Sequence, residues 1–356
     1  MRKIRKRLYY FKKKIKSQIM TFCSKSMLAT KIYYLFSKEF NNEMYSVMVG
    51  KNKHIKDISS NNNSYFLRRS IHRIEKGLIM KNRKEVFGLD YIYDTVQNYS
   101  ALLSKNQLSE VEHQWCYDVL NNYFKTSGQN RVVEESLKVF KEANQSYTKF
   151  NSRNNSSVPY IRIKMEEKNI GTIDELLNLS YYRRSVRWYQ QRPVEKNKIE
   201  NAIKVAAQSP SACNRQPFHY KIFLNNPMRN KILNCAMGTK GYADNVPGVA
   251  VVVGELEAYF DERDRHLIYI DSSLATMSLV YGLEVQGVSS CIINWPDIPE
   301  RERKLKSLLN LPDNQRVIML VAFGYADENE KVAYSAKKTT KELAIFDDHN
   351  FETSIQ

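Results

Sequence analysis

A chain of 356 residues that is 42% hydrophobic and 26% charged can bury a core and is too apolar for a disordered polymer, and its length suits two units. The formal charge of +17 would suit a nucleic-acid binder if it were spread evenly, but residues 1–60 hold 15 Lys/Arg against three acids and the rest is near balance, so no nucleic-acid partner is expected. Five widely spaced cysteines without a C-x-x-C pair argue against a disulfide framework and a zinc site; with no secretory signal and no run of ~18 apolar residues, the expected address is the cytoplasm.

Within residues 1–40, Leu8, Phe11, Ile15, Ile19 and Phe22 recur at spacings of three and four, which predicts a helix with an apolar stripe beside a cationic face. Two readings stand: a solvated basic helix packed on its own protein, or one lying on an anionic membrane surface, peripheral on the inner face. A polar break over 56–66 precedes a helix carrying Leu67, Ile71, Ile74 and Leu78 on one face. The pattern stays helical and polar to about 150, and 151–159 ("NSRNNSSVP") reads as a linker.

From 171 the texture changes. Thr172 and Glu175 have capping-box spacing and open a short helix to about Ser180; a second helix covers 195–208. Strands are predicted at 218–224, 248–256, 288–294 and 316–325, separated by helices at about 226–236, 264–286 and 299–309. The expected organisation is a basic amphipathic segment (1–60), a helical module with linker (61–165), an α+β domain (166–345) and a tail (346–356). Order alone leaves the strand directions open.

Familiar sites are missing from the text of the chain. There is no G-x-G-x-x-G, P-loop, H-E-x-x-H or G-x-S-x-G, and the six histidines lack ligand spacing, so no metal is expected. Two segments remain. "YYRRSVRWY" (181–189) gathers Arg183, Arg184, Ser185 and Arg187, residue types that hold a phosphate and polar heterocycle edges; a solvated helix cap is the plainer reading. "SPSACNRQPF" (209–218) brackets Cys213 between two prolines, and with one helix between them the two segments are expected to meet at one site.

Taken together, "RRSVRWY", the Pro193-Val194 pair and "AAQSPSACNRQPF" closely resemble the entry signature of the nitroreductase family, FMN-dependent enzymes that take hydride from NAD(P)H. In order follow a buried strand at 249–253, a long helix with Asp271 near its middle, "GVSSCII" (287–293) and "FGYADENEKVAYSAKKTTKEL" (323–343). The resemblance covers about 171–343 and implies an α+β fold with a mixed, mainly antiparallel sheet flanked by helices. The helical part around "LRRSIHRIEKGL" looks more vaguely like an extension of nitroreductase-like proteins from surface-polysaccharide gene clusters.

Carried over by position, the resemblance implies that Arg183, Arg184 and Ser185 hold the FMN phosphate and ribityl chain, and that Arg187 sits near flavin N1 and O2, where charge develops on reduction. Pro210, Ser211, Ala212 and Asn214 match the stretch that wraps the ring from the other subunit of a homodimer, with Gln216 and Pro217 finishing the turn. Ser289 and Ser290 pass beneath the ring, and Lys337 aligns with the closing basic residue at the phosphate. Ala212 and Lys337 depart from the hydroxyl and arginine often found there, which puts one hydrogen bond and one bidentate contact in doubt. The implied activity is ping-pong transfer from NAD(P)H to a small organic acceptor, with no side chain as catalytic acid or base. Alternatives are another flavin task on a polysaccharide precursor, or a membrane-associated accessory protein with a decayed flavin site.

Overall fold

The computed structural model describes residues 2–145, 157–161, 171–224 and 227–346, with side chains from Lys6 onward. Most of the predicted linker (151–156) and the tail beyond Phe346 lie outside the described residues. The first three helices are α1 (Arg2–Cys23), α2 (Met27–Ser37) and α3 (Asn41–Ser59). Ser26 caps α2, its side chain accepting from the Ala29 amide, and this turns the chain back on α1. α3 packs tightly on the body: a Cβ at Gly50 would lie 2.6 Å from the Leu256 Cβ, so the close approach requires glycine.

A separate helical core follows, from α4 (Ser64–Leu78), α5 (Ile92–Ser104), α6 (Glu110–Thr126) and α7 (Arg131–Gln145). Three of the four residues predicted to line α4, Leu67, Ile71 and Ile74, are buried there against Ile92, Val96, Val119 and Leu120, while Leu78 packs at the edge. Burial of such side chains contributes roughly 1.5–3 kcal/mol each.

The remaining elements are α8 (Ile173–Tyr182), α9 (Lys196–Ala206), β1 (Phe218–Phe223), α10 (Met228–Leu233), β2 (Gly248–Glu255), α11 (Leu267–Glu284), β3 (Ser289–Asn294), α12 (Pro299–Leu309), β4 (Gln315–Gly324) and α13 (Thr340–Leu343). The capping box predicted for α8 is formed, with Thr172 and Glu175 each bonding the other's backbone amide. The four strands form one sheet in the order β1-β2-β4-β3, and every strand pair is antiparallel. The expected mixed character reduces, among the described residues, to one isolated parallel bridge between Ser185 and Ser290.

Period-two alternation puts a core on each face of the sheet. Val249, Val251 and Val253 of β2 join Leu320 and Ala322 of β4 on the face covered by α10 and α12. Ala250 and Val252 join Val321 and Phe323 on the other face, beneath α9 and α11. A Cβ at Gly282 of α11 would come within 2.9 Å of the Ala202 Cα, so these two helices touch backbone to backbone.

Candidate functional site

Arg183 ends α8, and the chain leaves in extended conformation along β3, with Val186 N donating to Ser290 O at 3.1 Å. The turn therefore stands over buried Ser289 and Ser290 at the start of β3. Its guanidinium bonds are few. Arg184 Nη1 donates to Arg183 O at 3.2 Å and Arg187 Nη1 to Ser185 O at 3.3 Å, and none of Arg183, Arg184 or Arg187 forms an ion pair among the described residues. Glu284, at the far end of α11, feels Arg183, but burial outweighs this and raises its carboxyl. Three cations with spare donors and an exposed hydroxyl suit a dianionic phosphate better than a helix cap, whose own carbonyls they would only partly engage.

Tyr242 lies buried beside this turn, against Arg187 and Cys291, and burial raises its hydroxyl's pKa. From the sequence alone, Tyr242 in the "GTKGYADNVP" loop allows two readings, a residue lining an acceptor pocket or a surface or core tyrosine. Its neighbour Asn245 holds the turn, its Oδ1 accepting from Tyr189 N at 2.6 Å.

The second segment is a strained loop. Cys213, Asn214 and Gln216 all have positive φ, at 54°, 53° and 50°, which costs a non-glycine residue roughly 1–2 kcal/mol each unless the surroundings hold it. Four contacts do so. Ala212 N donates to Asp271 Oδ2 at 3.0 Å, Gln216 N to Ser211 Oγ at 3.0 Å, Gln216 Nε2 to Ala207 O at 2.8 Å, and Arg68 Nε of α4 to Asn214 O at 2.9 Å. Arg68 also gives Nη2 to Gln216 Oε1 at 2.8 Å and Nη1 to Glu112 at 2.7 Å. The Gln216 amide is thus engaged at both ends in shaping the loop, as Ser211 is.

Asp271 and Arg68 were not among the residues singled out for this role. Asp271 sits in the second turn of α11, not near its middle, where it also accepts from Tyr259 Oη at 3.1 Å. Burial raises its carboxyl against the opposing pull of those two donors and of Arg215. An acid early in a largely apolar helix was the available signal, and the resemblance gave it only as part of a family pattern.

The two segments do not meet within one chain. The loop precedes Phe218, which pairs with Gly254, whereas Ser290 pairs with Phe323, the partner of Gly248. Six residues of β2 separate those rows, roughly 20 Å at a strand's rise. α11 gives the same measure: Asp271 holds the loop and Glu284 faces the arginine turn, 13 residues or roughly 20 Å apart. Pro210 is exposed at the loop's rim, and no hydrogen bond or ion pair joins Lys337 to the turn among the described residues; it lies in an exposed arm that leaves the sheet after Ala326.

A sequence profile of the nitroreductase family matches residues 181–239 and 236–325, a span that contains both segments. This domain belongs to the nitroreductase family. An Archaeoglobus fulgidus protein with the inferred name NADH dehydrogenase/NAD(P)H nitroreductase is 28% identical over 46% of this chain and 92% of its own. Iodotyrosine deiodinase of Nematostella vectensis is 24% identical over 46% of this chain and 71% of its own. Among solved structures, an FMN-dependent nitroreductase from Clostridium difficile shares 21% identity over 48% of this chain and 99% of its own, with a TM-score of 0.43.

Proposed function

We propose that this chain is an FMN-dependent oxidoreductase that takes hydride from NAD(P)H, passes it to a small organic acceptor by a ping-pong route, and works as a homodimer. The observation that carries the reading is the separation of the arginine turn from the "SPSACNRQPF" loop. Each is suited to one end of a flavin nucleotide, and a second copy is the simplest source of the missing half.

The outer face of α11 supports that second copy. The helix has apolar residues on every side and no separate polar face, a pattern that calls for burial on more than one side. Yet Ile270 is 51% and Leu274 46% exposed, and with Met277 and Tyr281 they line an open groove of about 660 Å³. Two α11 helices packed antiparallel along this stripe would set the Asp271 end of one beside the Glu284 end of the other. The loop of one copy then faces the arginine turn of its partner. α8 buries none of its own residues and offers Ile173, Leu176 and Leu177 to the same assembly.

The residues present fit FMN. Arg183, Arg184 and Ser185 would hold the phosphate and ribityl chain, Arg187 would place fixed positive charge at the ring's pyrimidine edge, and the backbone of Ser289 and Ser290 would lie beneath it. Ser211, Ala212 and Asn214 would close the ring from the partner, with Lys337 supplying a further cation. Bound FMN supplies two-electron hydride chemistry. Tyr242, buried against Arg187, would line the acceptor's side of the site. The deiodinase relatives favour a second reading in which the acceptor is a halogenated aromatic and the product its dehalogenated form.

The test is direct. The purified protein should be yellow or become so with FMN, with an absorbance band near ~450 nm that bleaches on adding NADH or NADPH. A colourless protein that FMN cannot reconstitute would sink the proposal.

A further inference from the structure

The helices before the redox domain present a surface that nothing in the flavin reading uses. From Lys6 to Phe22 every side chain of α1 is exposed, and α2 buries none. An amphipathic helix on a globular protein normally turns its stripe into the core. Here Leu8, Phe11, Ile15, Ile19 and Phe22 stay in solvent, with Phe22 71% exposed. Ile15, Ile19 and Phe22 face Ile32 and Phe36 of α2 across an open, largely apolar groove of about 710 Å³.

The charge around that stripe is equally one-sided. At a helix's 100° per residue, Lys12 and Lys16 fall along one edge of the stripe and Arg7 and Lys14 along the other. Long cationic side chains beside an apolar face can lay their stems on it and lift their heads to a polar layer.

We propose that the α1–α2 hairpin is a docking surface for an anionic lipid bilayer, held in the headgroup layer with its apolar stripe turned inward. Charge complementarity selects this occupant. Nucleic acid would match the lysines and leave five large apolar side chains on the same face without a home. A second copy would cover the apolar groove and bring two surfaces with the same large positive excess together. An acidic bilayer accepts both features at once. No helix among the described residues is long and apolar enough to cross a membrane, so the attachment lies in the interface. α3 links the hairpin to the redox domain: Val47 is buried, and His54 Nδ1 meets Glu257 O at 2.7 Å.

The experiment is co-sedimentation of the full chain with phosphatidylglycerol vesicles and, separately, with phosphatidylcholine vesicles. Binding is expected to the first only. Lys12→Gln with Lys13→Gln and Lys14→Gln should weaken it about a hundredfold, at about fivefold per basic residue. Phe11→Ser with Ile15→Ser, which leaves the charge unchanged, should weaken it at least tenfold. A Phe11→Trp reporter should shift its emission to the blue with phosphatidylglycerol vesicles only. Circular dichroism and flavin content checked on each variant separate lost docking from lost folding. Failure to sediment with phosphatidylglycerol, equal binding to both lipids, or indifference to the Phe11 and Ile15 changes would each overturn the proposal. So would Lys-dependent binding to duplex DNA without vesicle binding, or a hairpin-dependent change in oligomeric state.

Discussion

Arg187 and Arg68 illustrate two ways an arginine can serve one site. Arg187 lies against Tyr242 at the end of the sheet where Ser289 begins β3, and its charge is not neutralised by an ion pair among the described residues. Its value would be greatest as negative charge builds on the ring. Arg187→Ala is therefore expected to slow flavin reduction at least tenfold while leaving most of the flavin bound, as stopped-flow reduction and absorbance ratios would show; equal losses in both would remove the assigned role. Arg68 touches no part of the arginine turn. It spends three guanidinium nitrogens on Asn214, Gln216 and Glu112 and so offsets part of the strain of the positive-φ loop. Arg68→Ala should weaken FMN binding by about 1–3 kcal/mol through loss of charged hydrogen bonds, and Arg68→Lys should recover only part, since a point charge cannot replace the fork. Unchanged FMN affinity by titration would show that the loop holds its shape alone.

At the level of elements, the sequence was most informative where one segment decides its own fate. α12 runs over 299–309 as predicted, because Pro299 suits a helix's first turn and Asn310 adopts the left-handed conformation that stops it. α10 was predicted too long, at 226–236 against Met228–Leu233. Less visible was the seam where α3 and α4 meet the β1–β2 edge. Glu255 there sits beside His219 at 2.5 Å and is hydrogen-bonded by Tyr65. Burial, with Glu257 nearby, pushes Glu255 up to about 7 from an ordinary 4.5. A carboxyl raised by folding binds its proton more tightly in the native state, so its stabilising effect is full below pH 4.5 and is lost as pH rises through about 7. Glu255→Gln should therefore gain stability over the parent chain as pH rises from about 5 to 8, by roughly 1–3 kcal/mol in urea melts. A difference that stays flat across that range would show that the carboxyl titrates normally.

For the whole molecule, the residue types of the candidate site could be named from the sequence and their distribution in space could not. Arg183, Ser185, Arg187 and the "SPSACNRQPF" loop could be named from the chain, and the antiparallel sheet and helical extension anticipated. The expectation that turn and loop meet after one intervening helix failed within a single chain, because α9 and the path to β1 carry the loop to the other end of the sheet. Strand order and register are long-range pairings, and a linear reading holds no measure of them. Asp271 and Arg68 escaped for the same reason: each acts on a loop 59 or 146 residues away.

The roughly 20 Å between turn and loop has a consequence for genetics. If each flavin is gripped by the turn of one copy and the loop of the other, two differently disabled chains can repair one another. A chain with Arg183→Ala and Arg184→Ala, and a chain with Ser211→Ala and Asn214→Ala, should each be nearly inactive alone. Mixed pairs would hold one site carrying both lesions and one carrying neither. Refolding equal amounts together should restore about a quarter of the wild-type flavin content and turnover, the share expected for random pairing about a two-fold axis. No recovery, with mixed pairs demonstrated by mass, would mean that each chain builds its site unaided.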